Sequence, residues 1–304
     1  MASVVTRRRL CVAVALALVV GACGHTKNGG STVGGTLTTP GETASTAPGD
    51  TNLSPSHPGT RPTTGSGHGG NGTATTKPST HAGDPIRDAA NHAPGALAGV
   101  VLAPGPATNV VLDVLVQPGV TADESVIATL RQILAASSGK PVSVRGPVAL
   151  STSTTTYDSD AIRRLADAQG KAQGDGTAVL HLLYLKGSFT DNSVLGVTVR
   201  ADTTAVFPDQ IAGATSPFVS RQRLEQAVDT HELGHVLGLV DLYLDDNRDD
   251  PQHPGHSTNP HSVMYWAVES DLVGQVLDGP PPVAFDGADQ NDLSRIHAGA
   301  SAAQ

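Results

Sequence analysis

From Gly24 to about Pro85, Gly, Ser, Thr and Pro fill about two-thirds of the positions, and Val33, Leu37 and Leu53 are the only large apolar residues. A segment of this kind cannot bury enough apolar surface to offset the entropy of ordering its own backbone. It reads as a flexible tether, and it limits the foldable chain to the residues on its C-terminal side. Of 304 residues, a linker over residues 24–94 leaves a folded region over residues 95–304, long enough for one well-buried core.

Ahead of the tether, residues 1–23 read MASVVTRRRLCVAVALALVVGAC. Three consecutive arginines, an apolar run from Leu10 to Val20, and small residues before a cysteine form the pattern of an export signal. The run is shorter than the ~20 residues that cross a bilayer as a stable helix. Its end, Val20-Gly21-Ala22-Cys23, resembles the lipobox of bacterial lipoproteins. That resemblance implies that Cys23 is the lipidated first residue of the mature chain, exported and anchored to the outer face of the cell membrane. A soluble secretory signal with a cysteine near its cleavage site is the competing reading. Cys11 and Cys23 are the only cysteines, so no disulfide staples the folded region and no thiolate there can bind a metal.

Within the folded region, Asn109–Val116 and 177–186 are short, apolar, rich in β-branched residues and bounded by Pro or Gly, which predicts buried strands. Residues 193–201 and 203–207 predict shorter ones. Between the first two, Thr121 or Asp123 can cap a helix whose Val126, Ile127, Leu130, Ile133 and Leu134 recur at helical spacing before Gly139. A second helix is predicted over 159–169. This order implies a sheet with helices packed on it.

The next helix, predicted to start near Ser220, carries HELGHVLGLVD over residues 231–241. At one turn's spacing His231 and His235 lie about 40° apart on one face, while Leu233, Val236, Leu237 and Val240 fall on the other. Two imidazoles so placed can reach one metal ion, and Glu232 beside them can reach a metal-bound water without being a ligand. Gly238 lets the chain leave the helix sharply, and Asp241, three residues on, can swing back as a third ligand. His253, His256 and His261 compete for that third position.

The pattern H-E-x-x-H-x-x-G-x-x-D, followed by Ser-Val-Met-Tyr at 262–265, resembles the metzincin metalloproteases, matrixin-like or snapalysin-like in type. The resemblance implies that His231, His235 and Asp241 bind Zn2+, that Glu232 is the catalytic base, and that Met264 forms the methionine turn beneath the metal. It implies an α+β fold: a twisted mixed β-sheet with an active-site helix, then a small C-terminal subdomain with the Met-turn and a final helix near residues 285–298. It also implies a zinc endopeptidase that hydrolyses internal peptide bonds of a protein or peptide substrate. Tyr265 follows the methionine one position earlier than the oxyanion-binding tyrosine of related enzymes, which favours a packing role.

Asp245, Asp246, Asp249 and Asp250 make Ca2+ a second candidate cofactor, although they lack EF-hand spacing and a solvated acidic loop is the stronger reading. The net charge of −9 and the lack of any basic stripe argue against a nucleic-acid partner. A monomer is expected. A catalytically silent, metal-stabilised surface lipoprotein acting as a binding module is the alternative function, and Glu232 argues against it because such a module has no chemical use for that carboxylate.

Overall fold

The structure, a computed structural model, describes residues 83–169 and 175–302. The export segment, Cys23 and nearly all of the tether lie outside the described residues.

Helical chain precedes the expected boundary at residue 95. Asp84 accepts a hydrogen bond from Ile86 N (3.0 Å), and Pro85 opens helix α1, Pro85–Ala90. Ile86 and Ala90 of this helix are buried, as are Ala98, Val101 and Leu102 of α2, Ala98–Leu102. Residues 85–94, expected as linker, therefore belong to the folded region, and that boundary is corrected.

Strand β1, Asn109–Val116, is where the apolar run predicts it. Asp123 caps α3, Glu124–Ser138, by accepting from the backbone of Ser125 and Val126, and Gly139 closes it at φ 66. Next comes β2, Val142–Ala149, which sequence patterning misses because it is an edge strand with only Val142 buried. Thr156–Tyr157 (β3), helix α4 over Ser159–Ala168, β4 over Thr177–Tyr184 and Ser188–Phe189 (β5) follow. Then come β6, Gly196–Arg200, and β7, Thr203–Val206; α5, Pro208–Gly213; and α6, Arg221–Val236. The C-terminal part holds a hairpin of β8, Asp249–Asp250, and β9, His253–Ser257, a 3-10 turn over Trp266–Glu269, α7 over Val273–Val276 and α8 over Gly287–His297.

The main sheet runs β2-β1-β4-β7-β6, with β6 antiparallel to β7 and the other neighbours parallel. A mostly parallel sheet needs cover on both faces. Leu180, Leu182 and Tyr184 of β4 join the cluster under α1, α2, α3 and α6, whereas Leu183 and Leu185 pack with Ile162 and Ala166 of α4 on the other face. The expectation of a mixed sheet beside the motif helix is met, but the layers are nearer to an α/β sandwich than to segregated α+β.

Candidate metal centre

Helix α6 is an interior helix rather than a surface one. Ser220 caps it, accepting from Arg223 N at 3.3 Å, and every residue from Ala227 to Val236 is buried. Leu233 and Val236 face the main cluster, as their spacing predicts. Tyr184 Oη of β4 donates to the buried Asp229 Oδ2 at 2.6 Å, a polar tie between sheet and helix. Gly238 ends the helix at φ 75; a Cβ there would lie 2.5 Å from Tyr243 Cβ and 2.9 Å from Ala98 Cβ, so both backbone and space require glycine.

His231 and His235 point their Nε2 atoms at each other across 3.0 Å, with rings edge to face. His231 Nδ1 donates to Val263 O at 2.7 Å, which leaves its Nε2 as a lone pair facing His235. Burial, then the neighbouring His231 and His256, push His235 well below the usual imidazole value, so its ring is neutral.

Asp241 does not join them. The turn after Gly238 puts Val240 and Asp241 in the left-handed region, at φ 52 and 61, and the Asp241 carboxylate faces its own loop. There it accepts from the backbone of Asp246 (3.1 Å), Arg248 (2.8 Å) and Asp249 (3.1 Å). A hydrogen bond with the Asp246 side chain, then these backbone bonds, outweigh its burial and hold the carboxyl below its ordinary value, so it is a loop anchor. The position expected of Asp241 is taken by His256. Hairpin β8–β9 carries His256 in, stacking its ring on His231 at 5.1 Å and edge-on to His235 at 4.9 Å. Of its two competitors, His253 stacks on Trp266 at 4.4 Å and pairs with Asp250, and His261 is exposed.

Met264 lies beneath the site. It is fully buried, a Cβ on Gly234 would overlap its Sδ, and Met264 O accepts from Ser257 N at 2.8 Å, tying β9 to this turn. The ring of Tyr265 packs against Trp266 at 5.7 Å. In the acidic loop, Asp246 pairs with Arg248 and Arg295, Arg248 also pairs with Asp289 and Asp292, and Asp250 pairs with His253. Of the four aspartates named as calcium donors, Asp246 is thus engaged by arginines.

Sequence reasoning misses one member of the site. Glu269, at the end of the 3-10 turn, places Oε1 3.0 Å from His256 Nε2 and Oε2 3.6 Å from His231 Nε2. His231, His235, His256 and Glu269 each bring a donor atom within 4.8 Å of the others, the one such group among the described residues. These four side chains can hold one metal ion. Three imidazoles and a carboxylate suit Zn2+, whose nitrogen ligands lie at about 2.0–2.1 Å, and two Nε2 atoms 3.0 Å apart share such a point.

Glu232, fully buried, completes the site. Its Oε2 accepts from Thr198 Oγ1 of β6 at 2.7 Å, while its Oε1 has no partner. Gly196 makes room, since a Cβ there would lie 2.8 Å from Oε1. Burial, then the charge of Glu269, push Glu232 well above its ordinary value, whereas contacts with His231 and His256 outweigh burial and hold Glu269 well below.

No family model matches the chain, and no curated protein matches it. Among solved structures it is similar to an archaemetzincin from Methanopyrus kandleri, at 20% identity and a TM-score of 0.39, over 63% of this chain and 96% of that one. A zinc-dependent peptidase from Methanocorpusculum labreanum matches at 16% identity and 0.39, over 60% and 99%. An archaemetzincin from Archaeoglobus fulgidus, complexed with malonate, matches at 15% and 0.35, over 61% and 99%.

Proposed function

We propose that this protein is a zinc-dependent endopeptidase, exported and held at the outer face of the cell membrane through Cys23, with His231, His235 and His256 as zinc ligands. The observation that carries the reading is Glu232. It is a fully buried carboxyl next to converging imidazoles, with one oxygen fixed by Thr198 and the other without a partner. A site that needed only to hold metal has no use for that costly group. When bound, zinc supplies Lewis-acid polarisation of the scissile carbonyl and acidifies water. Glu232 takes the proton of the attacking water and returns it to the departing amine. Thr198 orients the carboxyl so that Oε1 is the oxygen that works. The chain around β6, at the sheet's edge, offers backbone groups to an extended peptide, and Met264 supports the helix under both histidines as a methionine turn does.

One observation favours a second reading, the silent binding module. Four donors converge rather than three, and closed four-donor sets mark structural zinc sites. Cleavage of a peptide library by the wild type and by Glu232→Ala, at equal zinc occupancy, separates the two. Cleavage lost in the variant supports the peptidase, and equal activity removes it.

A further inference from the structure

We propose that Glu269 is a displaceable fourth metal donor, and that the segment it begins occupies the place of an extended substrate, so that the protein folds into a latent form. This rests on the zinc-peptidase reading.

Two independent features support it. The first is the convergence of four donor side chains on one point. His256 Nδ1 donates to His253 O at 3.2 Å, which turns its Nε2 to within 3.0 Å of the carboxylate oxygen Glu269 Oε1. His256 Nε2 has no hydrogen-bond partner of acceptable geometry. His231 Nε2 and His235 Nε2 lie equally close, 3.0 Å apart. One metal ion among all four donors would satisfy both contacts at once. Glu269 would thereby be the fourth donor to zinc, in the place that a catalytic centre leaves to water.

The second feature is the backbone that holds Glu269. Leu195 N donates to Glu269 O at 2.7 Å, Asp271 N donates to Ser193 O at 2.8 Å, and Val194 and Ser270 form an antiparallel bridge. Residues 269–271 are therefore a short strap paired with the chain leading into β6, the neighbourhood in which an extended peptide would add itself to the sheet. One segment thus holds both places a substrate needs: the backbone partner and the fourth coordination position. A peptide that displaces the strap removes Glu269 with it, and the vacated position then takes water beside Glu232.

Acetohydroxamate, a small ligand that needs an open metal position, tests this on the cobalt-substituted protein. The visible bands of the wild type should be unchanged by it, while those of Glu269→Ala should shift on titration. In chelator competition Glu269→Ala should hold zinc at least tenfold less tightly, and its rate of peptide-library cleavage at full zinc occupancy should rise at least tenfold. Asp271→Pro, which removes one strap hydrogen bond and keeps every donor, should shift both readouts in the same direction by a smaller factor, and it covers the case in which Glu269→Ala does not fold. Equal acetohydroxamate response in wild type and variants, with zinc affinity within twofold, overturns the fourth-donor role. If His256→Ala also binds zinc like the wild type, the metal centre itself is wrong. If Glu269→Ala opens to acetohydroxamate while neither protein cleaves peptide, the donor role stands and latency falls with the peptidase reading.

Discussion

Replacing Gly234 by alanine should destabilise the protein, against the ordinary rule for helices. In an exposed helix interior Gly→Ala gains about 1 kcal/mol from backbone entropy. Gly234 lies in the middle of α6, between the two histidines, where an added Cβ would overlap Met264 Sδ and lie 2.9 Å from its Cε and 3.2 Å from Phe285 Cε1. Met264 is fully buried and Phe285 nearly so, and neither has free volume to retreat into. Overpacking of this kind costs about 1–3 kcal/mol, which exceeds the propensity gain and leaves a net loss of about 1 kcal/mol. For a domain of this size that lowers the melting temperature by about 2–4 °C. Thermal unfolding of the zinc-loaded and metal-free forms reads it. The same substitution in a Met264→Ala background, where the obstructing sulfur is gone, should become stabilising. A Gly234→Ala protein more stable than wild type in both backgrounds would refute the close packing of α6 on Met264.

Asp241→Ala removes the acceptor for three backbone N–H groups and should cost about 2–3 kcal/mol in urea unfolding while one zinc per chain is retained by metal analysis; His256→Ala should lose the zinc. Loss of zinc in Asp241→Ala with retention in His256→Ala would restore the aspartate as ligand. Thr198→Val should leave zinc content unchanged and lower kcat/KM about tenfold, the loss of the hydrogen bond that orients the Glu232 carboxyl, read by peptide hydrolysis. Burial raises Asp113, but hydrogen bonds and charge from Arg145 and His181 outweigh it and hold the carboxyl at about 2, against an ordinary 3.8. Its contribution to stability, about 2 kcal/mol for this 1% exposed group, is full above the ordinary value and disappears as the pH falls through about 2. Asp113→Asn should therefore unfold more easily than wild type at pH 7, with a gap that narrows below the ordinary 3.8 and closes as the pH falls through about 2.

The parts of the fold that sequence makes legible are those where one residue type does one local job. Asp123 and Gly139 bracket α3, Ser220 starts α6, and the apolar run 109–116 is a strand over its full length, because caps and buried runs carry their own physics. Strand β2 is hidden because seven of its eight residues are exposed and leave no apolar run, and the β8–β9 hairpin because its residues, Asp-Asp and His-Pro-Gly-His-Ser, are chosen for ion pairs and for delivering His256 rather than for a buried face. Helix α1 is hidden beside the linker because six residues give no periodicity, although Asp84-Pro85 is a start signal. In the site, H-E-x-x-H and Gly238 work locally and are readable. The third imidazole and Glu269 depend on where a polar loop folds, which no spacing encodes.

With His256 and Glu269 at the site in place of Asp241, the anionic charge there is the same and its mechanics differ. Three imidazoles and one carboxylate replace two imidazoles and one carboxylate, so one anionic donor is present either way, now alongside an extra neutral one. The difference is where the anion is held. Asp241 is tied by three backbone hydrogen bonds to a loop that Arg248 clamps to Asp289 and Asp292 of α8, and a ligand so fixed cannot leave without unfolding that corner. Glu269 ends a 3-10 turn, is partly exposed, and is held to the Ser193–Leu195 chain through a few backbone bonds that a peptide can replace one for one. An anion on such a strap can be exchanged for substrate at little net cost in hydrogen bonds, and that exchange is the step by which a closed centre becomes an open one.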